Sequence, residues 1–188
     1  MKLTQPIRDR DHVYALAAYY LQRGQIRNHV LIVVSLYTAL RISDILRLTW
    51  DDVYNFKTQQ FRTSVTITEK KTKKPKIFAL NQEIVSALNH FISEATPGAY
   101  LIENKRTGKA IDRTQAYRII RAAGEAIGLD QNISCHSLRK TYGYHAWKNG
   151  APQPILMVIF NHASWKTTEI YLGIRQDDVN EQYLNHKY

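Results

Sequence analysis

At 188 residues, with 44% hydrophobic and 22% charged positions, the chain has the length and make-up of one globular domain with a sizeable core. Its longest apolar run, residues 30–34, gives way to Ser35, Tyr37 and Thr38, which excludes a membrane-spanning segment of roughly 20 apolar residues. A net charge of +10 and a pI near 9.7 point to a polyanion, most simply nucleic acid, against the plainer reading that the charge serves only solubility.

Asp11 begins a helix in which Val13, Leu16, Ala17, Tyr20 and Leu21 share a face, and Gly24 is placed to end it. A second helix over about 28–39 is apolar on most sides and is expected at the centre of the fold. Ser43 is expected to cap a short helix closed by Trp50-Asp51-Asp52. The period then changes from 3.6 to 2. Val65 and Ile67 alternate with Ser64, Thr66 and Thr68 in one strand, and Ile77, Phe78 and Leu80 form another. Between them lies a basic hairpin tip, Glu69-Lys70-Lys71-Thr72-Lys73-Lys74-Pro75-Lys76.

Asn81 caps a helix with Ile84, Ala87, Leu88, Phe91 and Ile92 on one face. After the Pro97-Gly98 turn, a loop or short strand through Tyr100-Leu101-Ile102 leads to Thr107-Gly108-Lys109. Asp112 caps a basic helix containing Arg113, Arg118 and Arg121, with Ala116, Ile119, Ile120 and Ala123 on its buried side, ended by Gly128. Helices over about 137–148, 152–160, 166–172 and 177–185 follow. The pattern is mainly α (α+β): a single helical domain over 1–188 with a small antiparallel sheet inserted near its middle. Residues 1–11 are polar and lack the apolar stretch of a signal peptide, and Cys135 alone forms no internal disulfide. The expected location is therefore cytoplasmic and, from the charge, nucleoid-associated.

The most informative stretch is 136–171. It reads His136-Ser137-Leu138-Arg139, an apolar helix, Asn161-His162-Ala163-Ser164, then Thr168-Glu169-Ile170-Tyr171. A guanidinium offers forked donors to phosphate oxygens, imidazole donates or shuttles a proton near neutral pH, and a phenol can act as a covalent nucleophile. A lone His or Tyr is usually just packed, so the weight rests on the whole constellation. Cys135 beside His136 invites a zinc reading, but no Cys-x-x-Cys or paired His spacing accompanies it.

Together with Thr38-Ala39-Leu40-Arg41-Ile42-Ser43-Asp44-Ile45-Leu46 and Lys71-Thr72, these segments resemble the tyrosine recombinase (phage integrase) family over about residues 32–172. The resemblance implies a catalytic set of Arg41, Lys71, His136, Arg139, His162 and Tyr171. Lys70 and Lys73 remain alternates for the hairpin lysine, and Asp44 would buttress a catalytic side chain by hydrogen bonds. It further implies DNA strand cutting and rejoining through a 3′-phosphotyrosyl link, with no metal or other cofactor. The partners expected are double-stranded DNA, further copies in a homotetramer on paired sites (the free protein being a monomer), and accessory DNA-bending proteins. Lys70, Lys73, Lys74, Arg113, Arg118 and Arg121 are the expected DNA contacts. No separate N-terminal clamp domain is expected ahead of the catalytic residues. The C-terminal helix, with Val179, Tyr183 and Leu184 as an apolar stripe after a hinge at Gly173, docks either on its own domain or on a neighbour. The alternatives are a type IB topoisomerase-like activity or a catalytically silent DNA-binding regulator.

Overall fold

The structure, a computed structural model, describes residues 4–129 and 133–186. Ten helices are described: α1 Arg10–Tyr19, α2 Ile26–Tyr37, α3 Ile42–Ile45, α4 Trp50–Val53, α5 Gln82–Asn89, α6 Arg113–Ala126, α7 Cys135–Lys148, α8 Gln153–Phe160, α9 Trp165–Leu172 and α10 Gln176–Asn185. Between α4 and α6 lie six short strands: β1 Tyr54–Asn55, β2 Gln60–Phe61, β3 Ser64–Thr68, β4 Pro75–Ala79, β5 Glu103–Asn104 and β6 Lys109–Ala110.

The centre is α2, whose residues from His29 to Leu36 are all buried and which packs against α1, α5, α6 and α7. A helix apolar on most sides has to be enclosed. Its polar members are satisfied locally: Ser35 donates to the Leu31 carbonyl at 2.6 Å, and His29 Nδ1 meets the Ala17 carbonyl at 2.7 Å. Ile84, Ala87 and Leu88 of α5 and Ala116, Ile120 and Ala123 of α6 complete this core from the faces their spacing predicts.

A second, smaller apolar cluster lies under the site. Ala39, Leu156, Phe160 and Leu172 are fully buried where α7, α8 and α9 meet. Gly143 makes that meeting possible. A Cβ there would lie 2.3 Å from Leu172 Cδ2 and 2.6 Å from Phe160 Cζ, so α9 rests directly on the backbone of α7.

Four sequence expectations need correction. Ser43 lies inside α3 rather than capping it; Arg41 holds the cap position, and its carbonyl accepts from the amides of Asp44 (2.8 Å) and Ile45 (3.1 Å). The Trp50-Asp51-Asp52 segment is a separate helical turn, α4, started by Thr49, whose amide donates to Asp52 Oδ2 at 2.7 Å. The expected antiparallel hairpin forms as β3–β4, and two further two-stranded ladders, β1–β2 and β5–β6, stand apart from it. Tyr100 makes only an isolated bridge to Thr49, and the strand beyond it is β5, paired with β6. Finally, α7 starts before residue 137. Ser134 caps it, accepting from the amides of His136 and Ser137, so His136 stands in the first turn.

Candidate active site

The two arginines are brought to one place by the chain around Ala39. This residue is buried and left-handed (φ 51°), a conformation that costs an L-residue about 1–2 kcal/mol. The turn sends its carbonyl to Arg139 Nη1 and starts the extended step into Arg41. Arg139, 2% exposed, also donates from Nη2 to the Phe160 carbonyl at 3.3 Å and lies 4.9 Å from the Phe160 ring centroid. Burial lowers its pKa, against a raising influence from neighbouring Tyr171. Arg41 Nη1 meets Glu69 Oε1 at 2.6 Å, an ion pair that uses one of its nitrogens.

Tyr171, on α9, is wedged between imidazoles. Its ring centroid is 5.1 Å from His136, edge-to-face at 90°, and 5.1 Å from His162 at 75°. Phe160 is a further 5.1 Å neighbour, and Lys140 Nζ lies 5.2 Å from the Tyr171 ring centroid. The hydroxyl is buried; among the described residues Arg139 is its polar neighbour, acting on it by charge and by a hydrogen bond looser than ordinary geometry. Burial raises the phenol's pKa, and Arg139 and Arg41 offset part of that rise.

His136 opens onto the cleft. Partial burial, then the charges of Lys140, Arg139, Arg41 and Lys71, push it down to about 4, so it is neutral and able to accept a proton at pH 7. His162 is also lowered, by burial and then by Arg139 and Arg41. Its Nδ1 lies 3.1 Å from Thr168 Oγ1, a hydroxyl that also donates to the Ser164 carbonyl at 3.3 Å, so Nε2 is the ring nitrogen outside this contact. The preceding Asn161 adopts the left-handed geometry (φ 55°) for which asparagine is better suited than most residues, so this turn forms without glycine.

A cleft of about 930 Å³ gathers Arg41, Lys70, Lys71, Arg113, His136 and Arg139 on its walls. Tyr171 and His162 lie behind it, packed on His136 and Phe160. Lys73, Lys74, Arg118 and Arg121 do not line it. Lys73 and Lys74 are exposed at the hairpin, whereas Arg121 is occupied within its own helix by Glu125 (2.6 Å) and the Tyr117 hydroxyl (3.1 Å). Asp44 does not hold a catalytic side chain as expected. The short α3 turn aims Oδ1 at the amide of Lys70 (2.8 Å), so it braces the hairpin backbone, and Oδ2 is buried without a partner among the described residues.

Sequence reasoning missed two hairpin residues. Glu69 is 3% exposed and takes hydrogen bonds from Arg41 and from the Thr72 hydroxyl. Lys76 donates to the Ile159 carbonyl at 2.8 Å, and burial, then Arg139, push it down to about 8. The available signal was alternation: Lys76 shares the inward face of β4 with Phe78.

This assembly has known counterparts. A model of the phage integrase family matches residues 9–177. The chain is 35% identical over 183 residues to the probable integrase/recombinase YoeC of Bacillus subtilis, covering 97% of each. It is 26% identical over 161 residues to the tyrosine recombinase XerD of Corynebacterium glutamicum, covering 83% of this chain but 51% of that protein. It therefore spans about half the length of that relative. The fold matches the crystal structure of XerA recombinase with a TM-score of 0.79 at 22% identity, over 99% of this chain and 68% of that one. A lambda integrase (75-356) dimer bound to a COC′ core site matches with a TM-score of 0.70 at 15% identity, over 92% of this chain and 60% of that one. The chain belongs to the phage integrase family, whose members are the tyrosine recombinases.

Proposed function

We propose that this chain is a site-specific DNA recombinase in which Tyr171 is the nucleophile. The observation that carries the reading is the Tyr171 hydroxyl, buried against the Arg139 guanidinium with two imidazoles on its ring. A tyrosine that served only packing would do as well as phenylalanine, since a buried hydroxyl without a well-formed hydrogen bond costs about 1–3 kcal/mol.

In the proposed step, the Tyr171 oxygen attacks a backbone phosphorus and passes its proton to neutral His136. Arg41 and Arg139 hold the non-bridging oxygens, whose charge grows in the transition state, and His162 donates to one of them. The bond from phosphorus to the 5′-oxygen breaks, and Lys71 protonates that oxygen as it leaves. A 5′-hydroxyl from a second strand then reverses the sequence. The raised phenol pKa keeps Tyr171 protonated at rest, and only a seated phosphate completes its surroundings.

We also propose that duplex DNA lies over the cleft with the hairpin lysines and Arg113 on its backbone, and that a tetramer forms on paired sites. The disposition of α10 supports contact between subunits through its apolar stripe. Its polar side is held at home by Asp178, which accepts from Arg8 at 2.8 Å and from the Tyr144 hydroxyl at 2.8 Å. Val179, Tyr183 and Leu184 remain exposed, at 41%, 79% and 83%.

A pool of nicked duplexes of random sequence tests the main reading and finds the site together. Covalent adducts resist denaturing electrophoresis, and the captured DNA is sequenced. The wild type is expected to yield adducts mapped by mass spectrometry to Tyr171. Tyr171→Phe is expected to yield none while binding DNA nearly as well, because one hydroxyl contributes little to a polyelectrolyte interface. An adduct on Tyr183 would overturn the assignment.

A further inference from the structure

We infer that Glu69 is a positioning residue that joins Arg41 to the hairpin turn carrying Lys71, so that the first arginine and the general acid are placed as one unit. The inference rests on the reading of Lys71 as general acid. Glu69 is the only acid among residues 62–76, a segment with Arg62, Lys70, Lys71, Lys73, Lys74 and Lys76. It is nevertheless almost completely buried, and a buried carboxylate persists only where its oxygens are paired. Both are. Oε1 takes Arg41 Nη1 at 2.6 Å, and Oε2 takes the Thr72 hydroxyl at 2.6 Å. One side chain thus grips the residue after Lys71 and the arginine across the cleft.

The backbone closes the same turn. The Glu69 amide donates to the Lys74 carbonyl and the Lys73 amide to the Glu69 carbonyl, each at 3.0 Å. The Lys70 amide donates to Asp44 Oδ1 at 2.8 Å, which ties the turn to α3 a second time. Lys71 sits inside this bracket, exposed, on the wall of the cleft that Arg41 also lines. Among the described residues Arg41 Nε and Nη2 meet no acceptor, so the strut leaves donors for a phosphate.

A carboxylate beside a phosphate site opposes anion binding, and this sets the sign of the test. Glu69→Gln and Glu69→Ala should bind DNA as tightly as the wild type or more tightly, yet cleave it more slowly. The substrate is the duplex captured above, remade with sulfur in place of the bridging 5′-oxygen. A thiolate leaves without needing a proton, so loss of a placed general acid is bypassed. Lys71→Ala should lose at least about a hundredfold on the oxygen substrate, within the range of a general acid, and recover on sulfur. Glu69→Ala and Thr72→Val should lose about tenfold or more on oxygen. On sulfur Thr72→Val should recover, and Glu69→Ala should recover in part because Arg41 has also lost its partner. Thr72→Val keeps the buried charge pair and guards against a folding defect. If the Glu69 and Thr72 variants stay slow on sulfur while Lys71→Ala recovers, the strut is overturned and Glu69 serves Arg41 alone. Variants that cleave oxygen at the wild-type rate also overturn it. Recovery of the Glu69 variants without recovery of Lys71→Ala would retain the strut and overturn Lys71 as the proton donor.

Discussion

Arg139 and Arg41 serve one cleft but are anchored by different means. Arg139 is buried among α7, α8 and the Ala39 turn, with backbone carbonyls and an aromatic face as its partners. Arg41 is more open and is held from the side by a carboxylate on the hairpin. The same division runs through the rest of the site. His162 and Tyr171 are fixed by packing on Phe160, while Lys70 and Thr72, on either side of Lys71, are fixed by polar contacts to Asp44 and Glu69. Dispersion and burial hold the Tyr171 side to a shape; charge and hydrogen bonds hold the Lys71 side to a partner. The first side should respond to volume, the second to salt.

The sharpest break comes from Gly143. Gly143→Ala places a methyl where Leu172 and Phe160 already are, and overpacking of this kind costs about 1–3 kcal/mol. A melting point several degrees lower is expected, with adduct formation reduced further still at temperatures where the variant remains folded, because α9 must shift. Normal adduct yield would mean that close packing of α9 on α7 does not place Tyr171. On the other side, replacing Lys73 and Lys74 by Gln should leave the melting point nearly unchanged. It should flatten the plot of log affinity against log salt by about 0.9 for each phosphate that is no longer neutralised. An unaltered slope would separate these lysines from DNA.

Acid should distinguish the two sides next. His136, pushed down to about 4, and His162, His29 and His145, all lowered chiefly by burial, refuse protons that the unfolded chain accepts near 6.5. Their contribution to stability is whole above about 6.5 and is lost as pH falls from there toward 4. Urea midpoints measured at pH 7.5 and 5 should show the decline, and His29→Gln should reduce it. Ala39→Gly is expected to have the smallest effect. Relief of the left-handed strain, about 1–2 kcal/mol, is offset by chain entropy of about 0.5–1 and a lost methyl of about 0.8. Calorimetry should place this variant within about 1 kcal/mol of the parent.

What could be read from the sequence was whatever is local. Asn81 and Asp112 announce helix starts because a cap acts on amides two or three residues away. His136 and Arg139 share a helix, and His162, Thr168 and Tyr171 lie within ten positions, so their spacing carries their meeting. Glu69 was not legible. In a basic hairpin a lone acid reads as a solvated charge, and its partner is 28 positions away. Arg41 meets Glu69 through one nitrogen, which no local spacing announces. The β1–β2 and β5–β6 ladders were not legible because strands of two residues leave no periodicity to find.

The left-handed turn at Ala39 has a consequence for how distance is kept in this site. Arg139 is tethered to the carbonyl of residue 39, and Arg41 follows two positions later on the same run of backbone. The distance from the Arg139 guanidinium to the backbone of Arg41 is therefore set over two peptide units, whose lengths and angles hardly vary, while Glu69 places the Arg41 guanidinium itself. Arginine at 139 reads that ruler with a planar fork, which the single ammonium of a lysine does not reproduce. One residue inserted between 39 and 41 would leave the net charge of the cleft unchanged and move its two grips out of register, so the span between positive charges, more than their number, is what this turn preserves.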